Sequence, residues 1–244
     1  LIGLKHLDSS HSEVRRLLDV ITARVYHCNT GFRAQHVANS LYGLAHMSSD
    51  VPETRALLKA LVHHVERCEE QLNGQGIGNA LYGFQSMRSS ESEVRQLAAV
   101  LAGKISASTA TLTGQEIGNA LYGLQKFSSD SDELLQVMGA LARKITLSPT
   151  KMSPQEVGNA LYGMMRMSAE ASEIRSVLAA LLPKIKASPI PTNDQSIANA
   201  IYGLGSMSSQ TKEVQNIVGA LAEKLEHSTW QFSQQGLNNA FFGL

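Results

Sequence analysis

The phrase Ile117–Leu124, IGNALYGL, returns every 40 residues: VANSLYGL begins at Val37, IGNALYGF at Ile77, VGNALYGM at Val157, IANAIYGL at Ile197 and LNNAFFGL at Leu237. Leu1–Leu4, LIGL, has the phase of one more copy's tail. A period this strict restricts the chain to a stacked array, in which each unit buries its apolar face on its neighbours and no single central core exists. The chain is 43% hydrophobic but only 5% aromatic, which suits helices packed around a thin continuous core.

One unit, Thr113–Met152, shows why the repeat should be a helical hairpin. Thr113 with Glu116, and Ser153-Pro154-Gln155-Glu156 in the next copy, carry the hydroxyl N-cap, first-turn proline and N3 carboxylate of a helix start. Ile117, Ala120, Leu121, Leu124 and Phe127 then fall on one face of a helix A, as do Val157, Ala160, Leu161, Met164 and Met167. A serine-rich break follows, where Asp130 with Glu133, and Asp50 with Glu53, repeat the capping spacing and predict a helix B from about residue 131. Leu134, Val137, Met138, Leu141 and Ile145 form its apolar face. Near its end a cation recurs as Arg24, Lys104, Lys144, Lys184 and Lys224, with His64 in the remaining copy. That column is expected to complement the helix dipole. Pro149, Pro189 and Pro191 should stop helix B, and Pro183, inside one, should kink or shorten it and make 171–187 irregular.

The expected fold is an all-α, right-handed α-solenoid over 1–244, with helix pairs at 33–66, 73–106, 113–146, 153–186 and 193–226 and partial repeats at both ends. The chain starts without Met in mid-repeat and ends in the same phase, so it is expected to be a piece of a longer array. No apolar run reaches the roughly 18 residues of a membrane span. Cys28 and Cys68 hold one position in consecutive repeats, and stacked helices lie about 8–10 Å apart, too far for a disulfide. Free thiols suit a reducing compartment.

Four columns repeat without being obvious core. They are Gln35 and its equivalents; Asn39, Asn79, Asn119, Asn159, Asn199 and Asn239; Tyr42, Tyr82, Tyr122, Tyr162 and Tyr202 with Phe242; and glycine from Gly3 to Gly243. Gln, Asn and Tyr share one stripe of helix A. A structural reading makes the Asn column a hydrogen-bonded ladder, half-buries Tyr between repeats and keeps Gly for close helix approach. A functional reading sets the stripe in a groove where amides meet bases or peptide backbone and tyrosines offer stacking planes. The small residues before Asn (Ala38, Gly78, Gly118, Gly158, Ala198) would leave room for a ligand.

Two positions vary near the end of helix A, and variable positions carry the information in a repeat reader. One holds Lys5, Ala45, Gln85, Gln125, Met165 and Gly205, and the other, on the tyrosine stripe, holds His6, His46, Ser86, Lys126, Arg166 and Ser206. From two residues before Asn to the end of helix A no copy has an acidic side chain, so the strip is neutral to mildly basic although the net charge is zero.

Signatures of catalysis are missing. There is no G-x-S-x-G elbow or Walker loop, and Gly74-Gln75-Gly76-Ile77-Gly78 opens a helix without the preceding strand that dinucleotide binding needs. His64, Cys68 and Cys28 have only an accidental resemblance to a metal shell. Neither an enzyme, a cofactor nor a metal site is expected.

Ser153–Pro189 resembles the octotricopeptide repeat family, through Pro154-Gln155-Glu156, Asn159-Ala160-Leu161-Tyr162 and Leu178-Ala179-Ala180-Leu181. The period is slightly longer than that family's, and Tyr-Gly stands where Trp-Ala is common. The resemblance implies a helix-turn-helix solenoid that binds RNA sequence-selectively, mostly in chloroplast or mitochondrial gene expression; related arrays occur in secreted bacterial effectors, and a cytoplasmic setting is the other alternative. Single-stranded RNA is therefore the expected partner, at about one nucleotide per repeat by analogy with other repeat readers. The expected contacts are Asn39, Tyr42, His46, Asn79, Tyr82, Asn119, Tyr122, Lys126, Asn159, Tyr162, Arg166, Asn199 and Tyr202. The alternative is a protein-interaction scaffold holding an extended peptide or partner protein.

Overall fold

The computed structural model describes residues 1–242, except for the side chain of Phe242. Gly243, Leu244 and the Phe242 ring of the tyrosine column thus lie outside the described residues. Among the described residues a short 3-10 turn, Ile2–Leu4, precedes twelve α-helices. The longer ones are α1 (Ser12–Tyr26), α3 (Pro52–Glu66), α5 (Ser92–Ala107), α7 (Asp132–Leu147), α9 (Ser172–Ala187) and α11 (Lys212–Glu226). Alternating with them are the short α2 (Ala34–Tyr42), α4 (Gly74–Tyr82), α6 (Gly114–Tyr122), α8 (Pro154–Tyr162), α10 (Gln195–Leu204) and α12 (Gln234–Phe242). Short helices pack on short ones and long helices on long ones, each against its counterpart in the next repeat. The result is an all-helical solenoid of two layers, with no strand among the described residues.

Local chemistry explains the helix ends. At α6, Thr113 N–H donates to Glu116 at 2.7 Å and Glu116 N–H to the Thr113 hydroxyl at 3.3 Å, a closed capping box that α8 repeats with Ser153 and Glu156. The N-cap of α7 is Ser131, whose hydroxyl accepts from Leu134 N–H at 3.3 Å. The expected cap, Asp130, instead accepts the Ser128 hydroxyl at 2.6 Å, so helix B starts one residue later than the sequence spacing predicts. Val51 precedes α3 without a side-chain cap, so Asp50 does not cap either.

Helix A is also shorter than its apolar stripe. It ends at Tyr122, after which the chain tightens into i→i+3 hydrogen bonds, Leu124 N–H to Leu121 O at 2.9 Å and Phe127 N–H to Leu124 O at 2.8 Å. Leu124 and Phe127 still reach the core, at 0% and 1% exposure. That core is one continuous cluster from Leu4 to Leu221. Each large side chain in it contributes about 1.5–3 kcal/mol by burial, and only because a neighbouring repeat covers it.

Pro183 neither shortens nor ends α9, which runs its full 16 residues like α5 and α7. Both Pro183 and Ala179, whose carbonyl loses its partner, are exposed, so water can take that bond. The irregularity falls one helix later. Asp194, before α10, has φ −72° and ψ −26° instead of an extended N-cap and makes no cap bond, and α10 starts one residue late in the repeat phase.

Three sets of cross-repeat rungs hold the layers in register. The hydroxyls of Ser9, Ser49, Ser89 and Ser129 accept from the backbone N–H of Ser48, Arg88, Ser128 and Ser168, each at 2.9 Å. At the other end of the hairpin, the Ser108 and Ser148 hydroxyls donate to Leu72 O and Leu112 O at 2.6 Å. The lysine column reaches backward: Lys104 donates to Glu66 O (3.0 Å) and Cys68 O, Lys144 to Ser108 O and Ala110 O (2.9 Å), and Lys184 to Ser148 O and Thr150 O (3.0 Å). Lys224 donates to Ser188 O. These cations cap the end of the preceding repeat's helix B rather than their own. Burial holds the Lys144 and Lys224 ammonium groups below the usual lysine range.

An amide and tyrosine stripe on the short helices

The glycine column sets how closely the short helices approach. A Cβ on Gly123 would lie 2.0 Å from Leu81 O of the preceding repeat, and one on Gly163 2.0 Å from Leu121 O. The helices therefore meet backbone to backbone, with Gly123 in ordinary right-handed geometry at φ −61° and ψ −20°. In the long helices, Gly103 and Gly219 have nothing within 4 Å of such a Cβ. Backbone-to-backbone approach is thus found at the repeated glycines of the short-helix layer.

The small residue before Asn has the same cause. A Cβ on Gly118 would sit 3.2 Å from Glu156 O, and one on Gly158 2.6 Å from Ser196 O. The room that the sequence seemed to leave for a ligand is filled by the next short helix. Close helix packing, and not ligand access, explains this column.

Tightness brings the tyrosines into direct contact. Ring centroids are 5.5 Å apart for Tyr42–Tyr82, 6.0 Å for Tyr82–Tyr122, 5.8 Å for Tyr122–Tyr162 and 5.5 Å for Tyr162–Tyr202. The last three pairs have interplanar angles of 19°, 21° and 22° and are stacked. Lys5 Nζ lies 4.5 Å from the Tyr42 centroid and closes one end of the stack by a cation–π contact. Burial, and then the neighbouring phenols, push the Tyr82 and Tyr162 hydroxyls up from their ordinary range. Separations of this size are direct aromatic contacts, so the ring faces are occupied by one another. A base approaching the stripe meets ring edges and hydroxyls.

Asn39, Asn79, Asn119, Asn159 and Asn199 are all half-buried beside this stack. The expected ladder among them is not formed: none of these side-chain amides hydrogen-bonds to protein among the described residues. Gln35, Asn39, Gln75 and Asn79 line one groove with Gln71 and Asn73. Its small, polar lining presents amide donors and acceptors in pairs from successive repeats.

The variable cations lie elsewhere. Because helix A ends at Tyr122, Lys126 is in the tight turn rather than on the helical stripe, and with Arg166 it lines a separate cleft at the edge formed by the loops between helices A and B. His46 is exposed at the equivalent turn. The structure thus groups the asparagines with the tyrosines and sets Lys126 and Arg166 apart from them.

Both cysteines are free thiols. His64 Nε2 lies 2.8 Å from Val25 O, and its ring stacks on Phe32 at 4.5 Å, while the Cys68 thiol points to Glu70 O at 3.7 Å. These residues have structural partners, and no cluster suited to a metal ion occurs among the described residues. Among the described residues no helix is long and apolar enough to cross a membrane. Compared with known proteins, the chain matches no family model and no curated protein.

Proposed function

We propose that the array binds single-stranded RNA along the asparagine and tyrosine stripe, at about one nucleotide per repeat by analogy with repeat readers that take one base each. The observation that carries this reading is the column of half-buried amides with no protein partner, which can bond the edges of unstacked bases. Supporting it, Val37 to His46 and the equivalent segments contain no acidic side chain to repel phosphate. Tyrosine would take part through its hydroxyl edge. The octotricopeptide-like phrases favour a role in organellar RNA processing, stability or translation.

A second reading rests on the ring spacing. At 5.5–6.0 Å per repeat it is close to two residues of extended peptide, about 6.6 Å. An extended peptide or partner protein could therefore also satisfy the amides.

The test is fluorescence anisotropy of the purified chain with a random single-stranded RNA pool at low and moderate salt, beside an Asn79→Ala, Asn119→Ala, Asn159→Ala variant. Salt-sensitive binding that the variant loses supports RNA recognition by the stripe. If the folded wild type ignores RNA, the reading fails and a peptide library is the next probe.

A further inference from the structure

The loop-edge cleft is not accounted for by the amide stripe. It has a volume of about 570 Å³ and takes cations from three successive repeats, Arg88, Lys126 and Arg166. The equivalent edge positions in the first two copies carry His6 with Asp8 and His46 with Ser48, and the copy after Arg166 carries Ser206 with Ser208. The cations are therefore concentrated at the middle of the array.

What each charged group in the cleft already holds decides its chemistry. Arg95 is committed: it donates to Ser89 O at 2.9 Å and Ser90 O at 2.7 Å and faces Glu133 at 3.8 Å. Asp130 accepts the Ser128 hydroxyl at 2.6 Å, and Asp132 heads α7, where a carboxylate complements the helix dipole. Arg88 pairs with Asp50 at 3.4 Å, but both side chains are more than half exposed, at 57% and 55%, so the pair is weak and exchangeable. Lys126 and Arg166 have no ion-pair or hydrogen-bond partner among the described residues. Each acid has a local role, while these two cations open onto the cleft.

We infer that this cleft is a phosphate-chain site, in which Lys126 and Arg166 hold successive phosphates and Arg88 exchanges its partner to join them. The inference rests in part on the RNA reading and deepens it. The phosphate backbone runs along the loop edge and the bases point toward the asparagines, so charge and sequence are read by different residues.

Inorganic polyphosphate, a phosphate chain without bases, separates the two claims. Its binding, and that of the RNA pool, is measured by titration at several salt concentrations for the full chain, for Lys126→Ala/Arg166→Ala, and for Arg143→Ala. Arg143 is exposed on α7 outside this cleft, donates to the Ser106 hydroxyl at 3.0 Å and serves as a single-charge control. Circular dichroism melting confirms that each variant is folded. The double variant should weaken polyphosphate about tenfold and lower the salt slope for RNA by about 1.4, two phosphates at roughly 0.7 each for a single strand. Arg143→Ala should change neither by more than about twofold. Polyphosphate binding that ignores the double variant, or falls as much with Arg143→Ala, overturns the site. If the chain binds polyphosphate through Lys126 and Arg166 but not RNA, the site stands and the RNA reading falls. If RNA binds through the asparagines with an unchanged salt slope, the reverse holds.

Discussion

The two layers of this solenoid treat repeated polar groups in opposite ways. In the long-helix layer and its flanking loops, Lys104, Lys144 and Lys184 and the serines of both loops each donate to or accept from the neighbouring repeat. In the short-helix layer, contact is made by glycine and tyrosine, and the asparagine amides take no protein partner among the described residues. A repeated polar residue is therefore not automatically a ladder. Where the backbones already touch, side-chain hydrogen bonds are not needed for register, and the amides remain available to a ligand.

Substitutions that attack this contrast should differ widely in size. Gly123→Ala forces a Cβ to 2.0 Å from a backbone carbonyl that cannot rotate away, and should cost about 3 kcal/mol or more in thermal or urea unfolding. If it costs less than about 0.5 kcal/mol, the close contact is not what sets the pitch. Lys144→Ala would leave two carbonyls of the preceding repeat without their donor, at a cost of about 2–3 kcal/mol. An exposed lysine lost elsewhere, such as Lys212, serves as its reference and should be nearly neutral.

The serine rungs offer a test in both directions. Ser49→Ala orphans Arg88 N–H and should cost about 1–2 kcal/mol. The natural break is at Ala169, which stands in the same column but has no hydroxyl for Ser208 N–H. Ala169→Ser should supply the missing rung and stabilise the last repeats by about 1 kcal/mol, visible as protection of Ser208 in hydrogen exchange.

Alkaline titration probes the tyrosine stack. The folded pKa of Tyr82 and Tyr162 is raised above the ordinary 10.0, first by burial and then by neighbouring phenols. For such groups the folded state holds its protons longer than the unfolded one. Their contribution is complete below pH 10.0 and is lost as the pH climbs through the raised values, so stability should fall on the alkaline side. Absorbance titration should show phenols that ionise above the ordinary tyrosine value of 10.0. Smallest of all is the stability effect of Asn119→Ala, expected within about 0.5 kcal/mol. A cost like that of Ser49→Ala would reveal a structural amide and remove the main support for a ligand stripe.

Much of the architecture was legible because it is local. Thr113-Gly-Gln-Glu116 declares a helix start within four residues, and Ile117, Ala120 and Leu121 declare its buried face. What the sequence does not show is a partner that lies in another repeat. Ser49 reads as a turn residue until Arg88 is brought beside it, and Lys144 reads as a cap for its own helix until Ser108 O is in reach. Gly118 looked like an opening because the sequence cannot say which backbone fills it. The tyrosine column was visible as a column, but its self-stacking depends on a pitch that only the packed helices define. The sequence spacing places Lys126 on the stripe because the change from α-helix to i→i+3 turn at Gly123 leaves no distinct mark in an apolar pattern with similar spacing.

Backbone contact at Gly83, Gly123, Gly163 and Gly203 also makes one edge of the molecule incompressible and gives it a fixed tooth spacing, like a comb. The long-helix layer, where Gly103 and Gly219 have nothing within 4 Å of an added Cβ, has no such contact at those positions. Under the proposed reading, a ligand would have to supply its own chemical units at this spacing or fall out of step along the array, and a longer array would sharpen that demand on ligand geometry as well as add contacts.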